Sequence, residues 1–129
     1  MRRFVYISTA NTLPEAEVDA IVAAAERNNE RLGLTGFLYY NGRNFLQLLE
    51  GPEAPLLRMI STLARDPRHA GMLKLADEPI AERSCPDWRM HRLRLAGQGS
   101  SRREALASEL PRQLSPVVRE LVTNFAVLN

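Results

Sequence analysis

Cysteine is almost missing from this chain: Cys85 is the only one in 129 residues. An internal disulfide is therefore excluded, and so is a Cys-rich metal site. Lysine is as scarce, with Lys74 its sole example, and the two histidines, His69 and His91, have no nucleophile beside them in sequence. No phosphate-binding glycine loop is present. Neither an enzyme nor a metal protein is expected. No apolar run approaches the length needed to cross a bilayer. The short run after Arg2-Arg3 lacks the apolar stretch and cleavage site of a signal peptide. The expected location is the cytoplasm, away from membranes.

What is present is an ordinary globular composition, 45% hydrophobic and 25% charged, with a formal net charge of +2 and a pI of about 9.1. That suits one compact domain. The arginines are scattered and form no basic patch. An RNA-binding sheet would need exposed aromatics on its third strand. The run Phe45-Leu46-Gln47-Leu48-Leu49 offers one aromatic in a buried-looking stretch, so no nucleic-acid partner is expected.

Apolar periodicity sets out the elements. Phe4 to Ser8 reads as a strand. Asn11 and Thr12 are cap candidates, Pro14 suits a helix start, and Val18, Ile21, Val22 and Ala25 recur at helical spacing until Gly33. Two apolar runs, Leu34 to Tyr40 and Phe45 to Leu49, flank the turn Asn41-Gly42-Arg43-Asn44, a strong hairpin signal. Pro55 to Ala64 is a second helix with Leu56, Ile60 and Leu63 on one stripe, and Asp66-Pro67 stops it. Met72 to Ala76 is a fourth strand, and a fifth extended piece surrounds Trp88 to Leu93.

The order β-α-β-β-α-β with an added strand is a ferredoxin-like split arrangement, an α+β fold. Strands apolar on both faces need cover on both. Two short helices, Arg102 to Leu110 and Pro116 to Val127, are expected on the second face after a GQGSS link at 97–101. Val117, Leu121 and Phe125 are expected to point inward. The domain is expected to span 1–96, with 97–129 as a helical extension.

A few polar residues stand where packing prefers apolar ones. Gln47 sits mid-strand, and its amide left unpaired would cost roughly 1–3 kcal/mol. Tyr6 lies on the first strand, which the split arrangement places beside the third, so its hydroxyl and Gln47 are natural partners. Asn28 and Asn29 fall seven residues after Ile21 and Val22 and continue the inward side of the first helix. Ile21, Phe45 and Leu49 would line a slot for a flat ring. Each residue also has a purely structural reading: a satisfied core amide, a core tyrosine, a helix-end cap. The pattern alone reaches a planar heteroaromatic ligand and stops there.

Six pieces carry a more specific likeness: Tyr6-Ile7-Ser8, Arg27-Asn28-Asn29, Leu34-Thr35-Gly36, Phe45 to Gly51, Asp66-Pro67-Arg68-His69 and Trp88-Arg89-Met90. In this order and spacing the chain resembles the BLUF family of flavin-binding blue-light receptors over residues 3 to 93. The resemblance implies a five-stranded mixed sheet with two helices over FAD, or alternatively FMN. It implies that Tyr6 donates an electron to the excited flavin and that Gln47 is the amide which rearranges. Asn29, with Asn28 beside it, would bond the pyrimidine edge. Asp66, Arg68 and His69 would lie at the outer end of the site, and Trp88 and Met90 on the fifth strand would relay the signal. Thr62 stands where many relatives carry a basic or imidazole side chain, and Ala25 replaces a small hydroxyl residue. The sequence shows no output domain, so signalling is expected to pass to a separate protein, or through a homo-oligomer, by way of the C-terminal helices. The alternative is a ferredoxin-like ligand-binding regulatory module without photochemistry.

Overall fold

The computed structural model describes residues 1–10, 12–95 and 100–128. In chain order its elements are β1 (Arg2–Thr9), α1 (Glu15–Leu32), β2 (Thr35–Tyr40), β3 (Asn44–Gly51), α2 (Glu53–Ala64), β4 (Ala70–Pro79), β5 (His91–Leu93), α3 (Ser100–Glu109) and α4 (Pro116–Leu128). The strands form one mixed sheet in the order β4-β1-β3-β2-β5, antiparallel throughout except for the parallel pair β2·β5. This is the expected split arrangement with its fifth strand added beside β2.

Strand alternation sends neighbouring side chains to opposite faces, and the two faces form two cores. Phe4, Tyr6, Leu38, Phe45 and Leu49 pack under α1 and α2 with Val18, Val22 and Leu56. Val5, Phe37, Tyr39, Leu46 and Leu48 pack under α3 and α4 with Leu106, Val118, Val122 and Phe125. This double burial explains why β2 and β3 read as apolar without alternation.

Local chemistry fixes the ends. Gly33 closes α1 in the left-handed conformation (φ 72°), and its N–H and that of Leu34 both donate to the Asn29 carbonyl. A side chain there would be strained. At α1's start Pro14 occupies the N-cap position without a side-chain cap. Thr12 therefore does not cap the helix, and Asn11 lies outside the described residues, as does part of the 97–101 link. The Tyr40 hydroxyl ties down the β1–α1 connection instead, donating to Ala10 O and accepting from Leu13 N–H.

Three expectations change. β4 runs well beyond Met72 to Ala76 in both directions. As an edge strand interrupted by register shifts against β1, it carries too many exposed residues for an apolar run to mark its ends. In α4 the inward stripe is Val118, Val122, Phe125 and Ala126, while Val117 is 71% exposed. A helix so apolar around its circumference does not show its inner face by periodicity. The third is β5, which is only three residues long, so Trp88 and Met90 precede it. The Arg89 carbonyl accepts from the Asn29 side chain rather than entering a strand ladder.

Candidate functional site

The register brings Tyr6 and Gln47 directly opposite each other on β1 and β3, and Leu38 of β2 lies across from Gln47 on its other side. All three side chains point to the face under α1 and α2. There the Tyr6 hydroxyl donates to Gln47 Oε1. The other end of the amide, Nε2, points to Met90 Sδ at 3.9 Å. Gln47 is only 6% exposed, yet both ends of its amide have partners, which answers the energetic problem that its strand position poses.

A cavity of about 750 Å³, its mouth included, opens beside this pair. Ile21, Leu38, Phe45, Met59 and Leu63 give it apolar walls, and Asn28, Asn29, Gln47, Arg68 and His69 give it polar groups. Asn29 is 1% exposed and joins the cavity to the Arg89 carbonyl, whereas Asn28 is half-buried and accepts from Arg31. His69 stacks toward Tyr6 with ring centroids 6.3 Å apart and meets Phe45 edge-on.

Two members of the expected set stand apart. Leu49 is fully buried in the core on the cavity's side of the sheet but is not among the lining residues. Trp88 lies on the opposite face, edge-on to Phe37 at 6.1 Å and stacked on His91 at 4.2 Å. Of the relay pair, Met90 is the one on the Gln47 side. Leu38, Met59 and Leu63 also line the cavity. The sequence signals them only as core positions, because an apolar wall and an apolar core look alike in composition. Thr62 lines the cavity too, with its hydroxyl bonded back to Arg58 O in its own helix.

Electrostatics divide the site into a dry inner end and a charged mouth. Burial, with a smaller contribution from Asp66, holds the Tyr6 phenol well above its ordinary value, so it stays a proton donor. At the mouth Arg68 bonds Asp66 at 2.6 Å and lowers that carboxyl's pKa.

The residues fit a flavin. The walls suit a flat ring, and the amides can match imide and carbonyl edges. His69 Nδ1 is buried and, among the described residues, has no hydrogen-bond partner. At the cavity wall, that nitrogen is placed to bond a polar edge of such a ring. Residues 1–91 match the family described as BLUF, sensors of blue light using FAD. The chain belongs to the BLUF family. That family comprises flavin-using sensors of blue light, and the five-stranded α+β architecture is that of the chain's structural neighbours.

The chain is 34% identical over 126 residues to the photoactivated adenylate cyclase subunit beta of Euglena longa, covering 95% of this chain and 13% of that protein. It is 37% identical over 62 residues to the blue light- and temperature-regulated antirepressor BluF of Escherichia coli (strain K12), covering 48% of this chain and 15% of that one. It therefore spans only a small part of these curated relatives. Among solved structures, BlrB, a BLUF protein in its dark state, aligns with a TM-score of 0.71 at 30% identity, over 98% of this chain and 90% of that one. Klebsiella pneumoniae BlrP1 with FMN and cyclic diGMP aligns with a TM-score of 0.83 at 28% identity, over 97% and 34%.

Proposed function

We propose that light is read by the chain Tyr6–Gln47–Met90, and that the same residues pass the signal to β5 and the C-terminal helices. The observation that carries this is the amide of Gln47, held between a hydroxyl donor at one end and a thioether at the other.

A flavin held in the cavity would supply a ring that absorbs blue light and accepts an electron when excited. Tyr6 supplies that electron and then releases the proton on Oη toward Gln47 Oε1, the atom it already faces. Gln47 ends in a rotated or tautomeric form as the electron and proton return. Rotation exchanges the positions of Oε1 and Nε2, which differ as acceptor and donor but hardly in shape. A thioether sulfur only accepts, so a carbonyl oxygen turned toward Met90 makes no hydrogen bond. The Met90 contact is released.

Asn28 and Asn29 would hold the ring's polar edge. Ile21 and Phe45 would press its faces, and Asp66, Arg68 and His69 would meet its outer part. FAD is the family's cofactor, with FMN the alternative. Residues 1–96 would act as the sensor and 97–129 as the surface that changes. His91 Nε2 meets Glu109 Oε1 at 2.9 Å, which connects β5 to α3. A separate protein or a second copy of the chain would read that surface in the cytoplasm.

The test is an absorption spectrum of the purified, flavin-loaded protein before and after blue light. A reversible red shift is expected. Bound flavin with no shift would leave a ligand-binding module and end the photochemical reading.

A further inference from the structure

A buried ionic cluster lies on the sheet face away from the cavity. Glu50 follows Gln47 by three residues on β3, and its side chain is fully buried. Its carboxylate accepts from Arg3 Nε at 2.8 Å, from the Ser84 N–H at 2.8 Å and from the Ser84 hydroxyl at 2.7 Å. The Cys85 N–H and thiol approach it at 3.4 and 3.5 Å. Arg3 continues to Glu78 on β4 at 2.9 Å. Next to Ser84, Arg83 bonds Gly33 O at 2.6 Å and Thr35 Oγ1 at 3.0 Å. Residues 83–85 are therefore tied directly to β2, to β3 and to the end of α1, and through Glu50 to Arg3 on β1.

The chain beyond Cys85 is held differently. Pro86, Asp87 and Arg89 are exposed, and open surface clefts border residues 86–91. This stretch is fastened at separate points. The Trp88 carbonyl accepts from Gly36 N–H at 2.7 Å, the Arg89 carbonyl from Asn29, and Met90 Sδ from Gln47. Gly36 is bare there for a reason: a Cβ would sit 1.9 Å from Leu48 O. Trp88 N–H also donates to Cys85 O at 3.2 Å, Arg89 pairs with Glu30 at 3.1 Å, and His91 enters the ladder with β2 and meets Glu109. The fastenings nearest the cavity, to the Arg89 carbonyl and to Met90, come from its amides.

We infer that Glu50 is the fixed anchor of a hinged arm: its carboxylate keeps Ser84 and Cys85 on the sheet whether or not Gln47 has turned, and residues 86–91 swing from that point. The inference rests on the proposed reading in which Gln47 turns. A buried charge satisfied from several sides is costly to expose, whereas an amide–thioether contact at 3.9 Å is weak. When Gln47 turns, the weak fastening yields and the anchor holds. Glu50 is thus a positioning residue. It sets where Met90 returns, and it does so without touching the flavin.

Amide hydrogen exchange, followed in the dark and under blue light on the full chain loaded with FAD, tests this. In the wild type the Ser84 and Cys85 amides should exchange equally slowly in both conditions, while those of residues 87–91 exchange faster in light. Ser84→Ala removes one donor from the carboxylate, and Glu50→Gln removes its charge while keeping its shape. Both should quicken the dark exchange of 87–91 about tenfold, the loss expected for one hydrogen bond to a charged group. Both should also abolish the light-minus-dark difference in α3 while leaving the flavin red shift intact. Ser84→Ala carries the test alone if Glu50→Gln does not fold. Light-dependent exchange at Ser84 and Cys85 in the wild type, or dark exchange of 87–91 unchanged in the variants, overturns the anchor. A wild type without a red shift overturns the reading of Gln47 instead, and the dark comparison still decides the anchor.

Discussion

Replacing Tyr6 by phenylalanine removes one oxygen from the cavity wall and keeps the ring that packs near Phe4 and His69. Two separable effects follow. The first is energetic. Gln47 Oε1 loses its donor in a nearly dry position, and a buried amide oxygen left unpaired costs about 1–3 kcal/mol. In a domain of this size that is a Tm drop of roughly 4–12 °C. Thermal melts of the flavin-free chain would read it. A double-mutant cycle with Gln47→Leu should return a coupling of about 1 kcal/mol, because the two side chains touch. The second effect is photochemical. The proton at Oη and the readily oxidised phenol are both gone, so the blue-light difference spectrum should be flat while flavin stays bound. A full red shift in Tyr6→Phe would refute the mechanism. A coupling near zero would refute the contact on which it is built.

Further outcomes follow from other parts of the site. The folded protein holds the Tyr6 proton above the ordinary phenol value of 10.0, whereas the unfolded chain releases it near there. The contribution of Tyr6 to stability is complete below about pH 10 and falls as pH rises beyond it. The red shift should accordingly keep its amplitude from about pH 6 to about 9.5, and a Tyr6 titration inside that window would contradict the burial. Asn29→Ala leaves the Arg89 carbonyl without its donor and removes one polar group from the cavity. Flavin affinity should weaken about tenfold in a fluorescence titration, and unchanged affinity would remove Asn29 from the binding set. Arg3→Met strands the Glu50 carboxylate without its counter-charge. Urea unfolding should show a loss of about 3–5 kcal/mol, and a loss under about 1 kcal/mol would mean that the pair is not buried as described.

The sheet was largely readable from sequence because its signals are local. The Asn41-Gly42 turn, the terminating Gly33 and the doubly apolar β2 and β3 each declare themselves within a few residues. Gln47 stood out because an amide in an apolar strand has to be satisfied somewhere. What escaped is what depends on distance or on rotation. The inward face of α4 could not be told from Val117, Leu121 and Phe125, since Val118, Val122 and Ala126 are equally apolar. Leu49 and Leu38 have the same character in sequence, and only the tertiary arrangement puts Leu38 on the cavity wall and Leu49 beneath it. The role of Glu50 depends on Arg3 and Ser84, which lie 47 and 34 residues away. No spacing rule links three such positions.

The alternation along β3 has one more consequence. Gln47 faces the cavity, and its neighbours Leu46 and Leu48 face the C-terminal helices. No side chain of a central strand belongs to both sides, so the cavity layer and the layer under the C-terminal helices share a backbone. Among the described residues, Met90, His91 and Glu109 join the two layers around the β5 edge, beside the segment that leads to it from Arg83. On the proposed reading, the outer surface of α3 and α4 is therefore free to diverge, substitution by substitution, toward a new listener without disturbing the photochemistry. Conversely, the cavity is free to be retuned in colour or in memory of the last flash without rewriting who listens.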